Sequence, residues 1–294
     1  MTGVAATLPA WVLRVVWVLQ PLAFVPLLDS SLSTLPATGR VLAGALAWAV
    51  WAVVLLVTLV PSTVSLTVGR LLAPLLPVAA IVAGVATSVS GVRVAIALGA
   101  AIVAVLAWFS GEVGLVLAGG SAYGAEQRFP LKPPVPYVLP MVVFWIVLAG
   151  LGLCGAVLVA NEIWVIGAVL LVACGFGSWF LGSRFHQLSR RWLVVVPAGL
   201  VVHDPLLLVE NALFRVVDLA AVHLAPADTE AADLTGATAG VVIEIVLREM
   251  DTVIMVAGRD KPTGNALHVR SVLVSPTRPG RALAAAAARK MPVG

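Results

Sequence analysis

The sequence predicts an α-helical integral membrane bundle of about six spans, followed by a small β-rich cytoplasmic domain, with the boundary at residues 184 and 185. Three observations carry that fold class. Of 294 residues, 61% are hydrophobic and 11% charged, far fewer charges than the roughly one quarter found in soluble domains. Residues 1–181 contain six long apolar stretches. At "GSRFHQLSRRW", residues 182–192, the chain turns abruptly basic, and beyond it the apolar runs shorten to strand length.

A bilayer core about 30 Å thick takes roughly 20 apolar residues of helix. The stretches run from Trp11 to Leu28, Val41 to Val60, Leu71 to Thr87, Val92 to Phe109, Tyr137 to Ala160 and Ile163 to Leu181. The first contains Arg14, Gln20 and Pro21 and could be read as a signal sequence. No basic residue precedes it and no small-x-small cleavage site follows cleanly, so a retained span is expected. The third and fourth are separated by "SVSGVR" and form a tight hairpin, with Pro74 and Pro77 kinking the third.

Lys and Arg resist translocation, so their distribution orients the spans. With both termini inside, the inner segments hold Arg70, Arg128, Lys132, Arg184, Arg190 and Arg191, and the outer loops hold Arg40 and Arg93. Arg184, Arg190 and Arg191 therefore read as membrane-interface anchors of the last helix. The excess of Arg and Ala over Lys and Asn suggests a high-GC bacterial genome, which places the chain in a bacterial plasma membrane. The net charge of +4 and pI near 9.6 are explained by anionic lipid headgroups rather than nucleic acid, because the basic residues are few and scattered.

The longest inter-span segment, "SGEVGLVLAGGSAYGAEQRFPLKPPVP", is also expected inside. Pro130, Pro133, Pro134 and Pro136 stiffen it, and Gly119, Gly120 and Gly124 suggest a defined turn. It reads either as a connector or as a contact loop, with Tyr123, Arg128 and Lys132 the candidate contact residues.

No motif points to catalysis, a metal or a cofactor. "GLGLCG", Gly150 to Gly155, matches a dinucleotide fingerprint in letters alone. It lies within an apolar stretch, where small residues serve close helix packing. "GGSAYG" lacks the glycine that a serine-nucleophile elbow needs, since Tyr123 stands there. None of His186, His203, His223 and His268 has a second His or Cys at metal-ligand spacing. "HDP", His203 to Pro205, is first a turn, although with Glu210 it could assemble an acid-base pair. Cys154 and Cys174 sit in apolar runs as packing residues. The span centres carry no acidic residue, with Asp29 and Glu162 at the outer interface, which disfavours ion-coupled transport.

From Trp192 the chain reads as about seven antiparallel strands and then one helix. "GVVIEIVLREMDTVIMVAG" puts Val241, Ile243, Ile245 and Leu247 on one strand face and Glu244 and Arg248 on the other. "APADTEAADLTGATAG" reads as a polar linker. Ser275 and Pro276 mark the start of an Ala-rich helix that ends in Arg289 and Lys290, where cations favour the helix dipole.

That strand order, with "RWLVVVPAGLVVHDPL", "VVDLAAV" and the closing helix, resembles the bacterial pleckstrin-homology-like domains of multi-pass membrane proteins, over roughly residues 188–290. Together with "SAYGAEQRFPLKPP" and "FHQLSRRW", the chain resembles actinobacterial membrane proteins with such a domain at their carboxyl end. The resemblance implies a fold and supplies no catalytic residue. Phosphoinositide recognition does not carry over, because no Lys or Arg lies between Trp192 and Asn211.

Two functions remain. One is a membrane-anchored scaffold or regulator, not an enzyme, whose β module meets protein partners while the spans and anchors meet lipid. The other is a permease or lipid-handling protein with the β module as a gate or stabiliser. The second calls for polar mid-span positions on facing helices, for which Gln20, Thr58, Ser88 and Asn161 are available.

Overall fold

The computed structural model describes residues 3–87, 89–257 and 263–294. The chain divides into a helical unit, Met1–Leu117 with Val142–Ser183, and a β unit, Ala118–Met141 with Arg184–Gly294.

Among the described residues the helical elements are α1 (Gly3–Val18), α2 (Gln20–Leu32), α3 (Ala37–Leu59), α4 (Thr63–Leu72), α5 (Leu75–Ala86), α6 (Gly91–Phe109), α7 (Gly111–Gly119), α8 (Val135–Ala160) and α9 (Trp164–Ser189). All but α7 fall in six stretches long and apolar enough to cross a membrane: Leu8–Leu32, Ala37–Leu59, Thr63–Val85, Gly91–Phe109, Val135–Ala160 and Trp164–Ser189. The third starts eight residues before its predicted Leu71. Ser62 caps α4, its Oγ accepting the Ser65 N–H at 3.0 Å, and this polar first turn hid the helix from an apolar reading. Ser88, one of the polar span residues, lies outside the described residues.

Two stretches are broken. Pro21 has no N–H to offer the Trp17 carbonyl, and α1 stops at Val18. The Trp51 indole donates to that carbonyl instead, at 3.1 Å, and the Trp17 indole returns a bond to Trp51 O at 2.9 Å. The second break falls at Ala73 and Pro74, between α4 and α5, and here the Trp145 indole donates to Leu71 O at 2.9 Å. Pro74 thus separates two helices rather than bending one, and Pro77 sits in the first turn of α5, where a missing N–H does little harm.

Helix α6 is the axis on which α1, α2, α4 and α5 pack. Its buried face, Ala97, Ala101, Ala104 and Trp108, is small except at the last position, which lets neighbouring backbones approach. Gly69 shows the same economy, since a Cβ there would lie 2.1 Å from the Trp108 ring. Arg14 Nε donates to Thr58 O at 3.1 Å and Arg70 Nε to Trp108 O at 3.3 Å. Both cap late carbonyls of α3 and α6, where helix dipoles are negative. The "GLGLCG" run is helical, as expected, and packs on α9: a Cβ on Gly155 would meet Gly167 O at 3.1 Å, and one on Gly152 the Cys174 sulfur at 3.2 Å.

The β unit contains β1 (Gln127–Pro130), β2 (Trp192–Val196), β3 (Gly199–His203), β4 (Ala212–Arg215), β5 (Leu219–Leu224), β6 (Ala232–Asp233), β7 (Ile243–Met255), β8 (Asn265–Val274) and α10 (Pro279–Ala288). They form two four-stranded sheets in the orders β1-β2-β3-β4 and β5-β7-β8-β6. The inner faces carry Leu193, Val195, Leu200, Val202, Phe214, Leu219, Val222, Ile243, Ile245, Leu247, Val272 and Val274, all buried, and α10 packs on β2 and β5. Seven strands follow Trp192 among the described residues.

The eighth strand corrects the predicted domain division. β1 comes from the inter-span segment and pairs antiparallel with β2, Gln127 opposite Val195 and Pro130 opposite Trp192, so residues 118–141 belong to the β unit. Other readings also change. Val241 lies outside β7 and is exposed, and Glu244, though on the face opposite Ile245, is buried and accepts a bond from Thr229 Oγ1 at 3.0 Å. The supposed polar linker holds β6 and the fully buried Leu234. Helix α10 starts at Pro279, because Ser275 to Thr277 still pair with the end of β1: Lys132 N–H donates to Ser275 O and Thr277 N–H to Pro130 O, each at 2.8 Å.

Candidate functional site

A hydrogen-bonded polar turn in the β unit leads into β1. Gly124 takes a left-handed conformation (φ +59°), which glycine adopts freely. Across the turn Ala122 N–H donates to Gly119 O at 3.0 Å, and Tyr123 N–H to Glu126 Oε1 at 2.5 Å. Arg128 then clamps it, donating to Glu126 Oε1 at 2.6 Å and to Ser121 Oγ at 3.0 Å, while the Arg289 guanidinium holds the Ala125 carbonyl. These bonds occupy the polar groups of the turn, and the Tyr123 side chain, in none of them, is left 89% exposed.

Beside the turn lies an aromatic and cationic stack. The two-residue turn at Pro197 and Ala198 sets the β2–β3 register and puts Trp192 opposite His203. Their rings stack at 4.9 Å and 17°, and the Arg128 guanidinium lies over the Trp192 ring at 5.0 Å. His203 Nδ1 meets Asn211 Oδ1 at 2.6 Å. Burial holds the His203 imidazole below its usual pKa; the positive charges of Arg190 and Arg128 act in the same direction, against the Asn211 bond and the Asp204 carboxylate.

One rung beyond this pair, Arg191 and Asp204 form a buried ion pair at 2.5 Å, their side chains 0% and 1% exposed. Arg191 also donates to the carbonyls of Lys132 and, at 3.4 Å, Thr235. Asp204 Oδ1 accepts from Leu206 N–H at 3.1 Å and Leu207 N–H at 3.3 Å, the side-chain turn that "HDP" suggested. Three separate chain segments are thereby tied to one guanidinium.

Arg191 is therefore not a headgroup anchor. Its charge is consumed inside the β unit, whereas Arg184, on the last turns of α9, and Arg190 are exposed. Of the three candidate contact residues, only Tyr123 is presented outward. Arg128 is held by Glu126 and Trp192, and Lys132 Nζ donates to Ala239 O at 3.2 Å and Val241 O at 3.4 Å. The acid-base reading of "HDP" fails with the Asp204 ion pair, since that carboxylate is fully engaged and Glu210 stands exposed.

No protein-family model, no curated protein and no solved structure matches this chain.

The chemistry of the site is a hydrogen-bonded turn with one projecting aromatic ring, and a charge network in which the carboxylates of Glu126 and Asp204 are engaged while the buried His203 Nε2 has no partner. That arrangement is suited to contact.

Proposed function

We propose that the chain is a multi-pass protein of the bacterial plasma membrane that presents its β unit, a pleckstrin-homology-like module, on the cytoplasmic side as a scaffold or regulator for a protein partner. The observation that carries this reading is the pairing of β1 with β2. Between those strands lie α8 and α9, each of 26 residues, and at about 1.5 Å per residue either is long enough for a ~30 Å core. Two crossings return the chain to the side it left, so insertion and strand pairing are compatible; an odd number would part the strands. Arg128, Lys132, Arg184, Arg190 and Arg191 on the β-unit side, against Arg40 and Arg93 opposite, support a cytoplasmic assignment for that side, whereas Arg70 falls within the stretch Thr63–Val85 and carries no weight in the count. The bias acts during insertion, so the later burial of Arg191 does not remove its influence.

The pleckstrin-homology-like assignment is supported by two four-stranded sheets, antiparallel throughout except for the short parallel β6–β8 pair, and by a closing helix packed on β2 and β5. The partner reading is supported by Tyr123: a large ring on a turn already fixed by hydrogen bonds loses little entropy on contact. Arg184 and Arg190 face anionic headgroups in this arrangement.

The test is a photo-crosslinking amino acid at position 123 of the full chain in native membranes, with position 228, an exposed loop residue, as control. A discrete protein adduct at 123 and none at 228 is expected. Lipid adducts alone, or equal adducts at both positions, would overturn the scaffold reading. The permease or lipid-handling alternative has one observation in its favour: Gln20 is buried on α2 against α6. Thr58, also buried, lies at the end of α3, and Asn161 in an exposed turn.

A further inference from the structure

Gln20 holds a position that the rest of the helical unit does not explain. It is the middle residue of Leu8–Leu32, at the break between α1 and α2, and it reaches Ala100, the middle residue of Gly91–Phe109. The other break, at Pro74, is again the middle of its stretch, Thr63–Val85. Both discontinuities flank α6, on which all four half-helices pack. In a bilayer these positions share one depth, the centre, where an unsatisfied polar group has no water to turn to.

The indoles of Trp51 and Trp145 satisfy backbone carbonyls near the two breaks. Gln20 is different. Its Nε2 donates to both Val16 O and Ala100 O at 3.1 Å, which fixes the amide, since a flipped group would set its oxygen against two carbonyls. The oxygen that remains, Oε1, is buried without a hydrogen-bond partner in a residue only 4% exposed. The neighbouring face of α6 is Ala97 and Ala101, with no donor to offer.

We propose that Gln20 Oε1 is the acceptor of a binding site for a small neutral hydrogen-bond donor of water size, held at mid-depth between α2 and α6. A cation does not suit it: one neutral oxygen against alanines replaces too little of an ion's hydration. The guest is uncharged, carries an O–H or N–H, and is small enough to lie beside alanine methyl groups. Water is the member of that class always at hand. Its bond to Oε1 completes the joint between α1 and α2, as water does at broken helices within membranes.

This inference rests on the membrane reading, and the test separates the two. The chain has three glutamines, Gln20, Gln127 and Gln187, so side-chain amide spectra of full-length protein labelled at Gln in nanodiscs resolve into three pairs, with Gln20→Leu assigning the one that matters. Two readouts are taken: magnetisation transfer from water, and broadening by a spin label at the acyl-chain terminus or by a soluble paramagnet. The expected result is a Gln20 amide broadened by the acyl-chain label, untouched by the soluble agent, and still receiving magnetisation from water. Broadening by the acyl-chain label without transfer from water would overturn the site and leave the membrane reading intact. Broadening by the soluble agent alone would overturn both.

Discussion

In the β unit the buried polar centre is an ion pair, Arg191 with Asp204, surrounded by carbonyls and turn N–H groups. In the helical unit it is a set of indole N–H groups given to helix carbonyls, Trp51 to Trp17 and Trp145 to Leu71. Both solve one problem, an unmatched backbone or charge away from water, yet they differ in what failure costs. A charge that loses its partner is stranded whole; a carbonyl that loses an indole loses one neutral bond. The difference teaches where each unit is brittle. The β unit hangs on one rung, and the bundle spreads its polar load over several modest ones.

The largest test of that contrast is Asp204→Ala. It leaves Arg191 buried and unpaired and is expected to destabilise the β unit by about 3–5 kcal/mol, read as protease sensitivity after Arg184 and a lower unfolding temperature in detergent. Replacing both partners, Arg191→Met with Asp204→Leu, is expected to restore most of that loss, because apolar groups of similar volume suit such a site. Failure of the double variant to recover would mean that the carbonyl bonds of Arg191 outweigh the pair. Next is Trp51→Phe, which removes the indole N–H while keeping an aromatic ring. A loss of about 1–3 kcal/mol is expected, as earlier thermal unfolding of the helical unit with the β unit unchanged; no shift would show that the Trp17 carbonyl finds another donor.

Smaller again is the joint change Arg184→Glu and Arg190→Glu. It is expected to lower the fraction of chains inserted with the β unit protected inside sealed vesicles, without unfolding it, since both residues are exposed. Adding Arg191→Glu would confound the measurement by breaking the ion pair. The smallest effect concerns His203. Its pKa is lowered in the folded state, so below its ordinary value of about 6.5 the unfolded chain binds the proton first. Stability is fully present above that pH and falls as pH drops through the unfolded and then the folded pKa. A mild decline in unfolding temperature below pH 6.5 is expected, flattened in His203→Gln.

Much of this was legible in the letters, and the reasons differ by element. The six apolar stretches and the alternation of Ile243, Ile245 and Leu247 are periodic and local, so they read directly. The Pro-Ala turn also fixed more than it was asked: once Val196 opposes Gly199, Trp192 must oppose His203 and Arg191 must face Asp204. The ion pair is legible by counting along the hairpin, whereas the charge of Arg191 weighed without that register points to the membrane surface. β1 was hidden for the opposite reason. "QRFP" is four residues beside a proline-rich run, and nothing local marks it as a strand; its partner lies beyond two whole helices. The letters offer Tyr123, Arg128 and Lys132 alike as contact candidates, and only the hydrogen bonds of the turn tell the exposed side chain from the two that are tied down.

The placement of β1 ahead of α8 has a consequence for synthesis. The first strand of its sheet leaves the ribosome early, and its partner β2 follows only after α8 and α9 have been made, roughly 3–12 seconds later at ordinary elongation rates. Through that interval β1 lacks its partner β2, and Pro130 with the prolines that follow the strand disfavours pairing elsewhere. When β2 arrives, closure of the sheet requires that both intervening helices have been placed. If the two helices cross a membrane, a chain that mis-inserts either one is left with β2 as an open edge and with Arg191 short of the Lys132 carbonyl, although still paired with Asp204. The sheet is thus a receipt for the hairpin that precedes it.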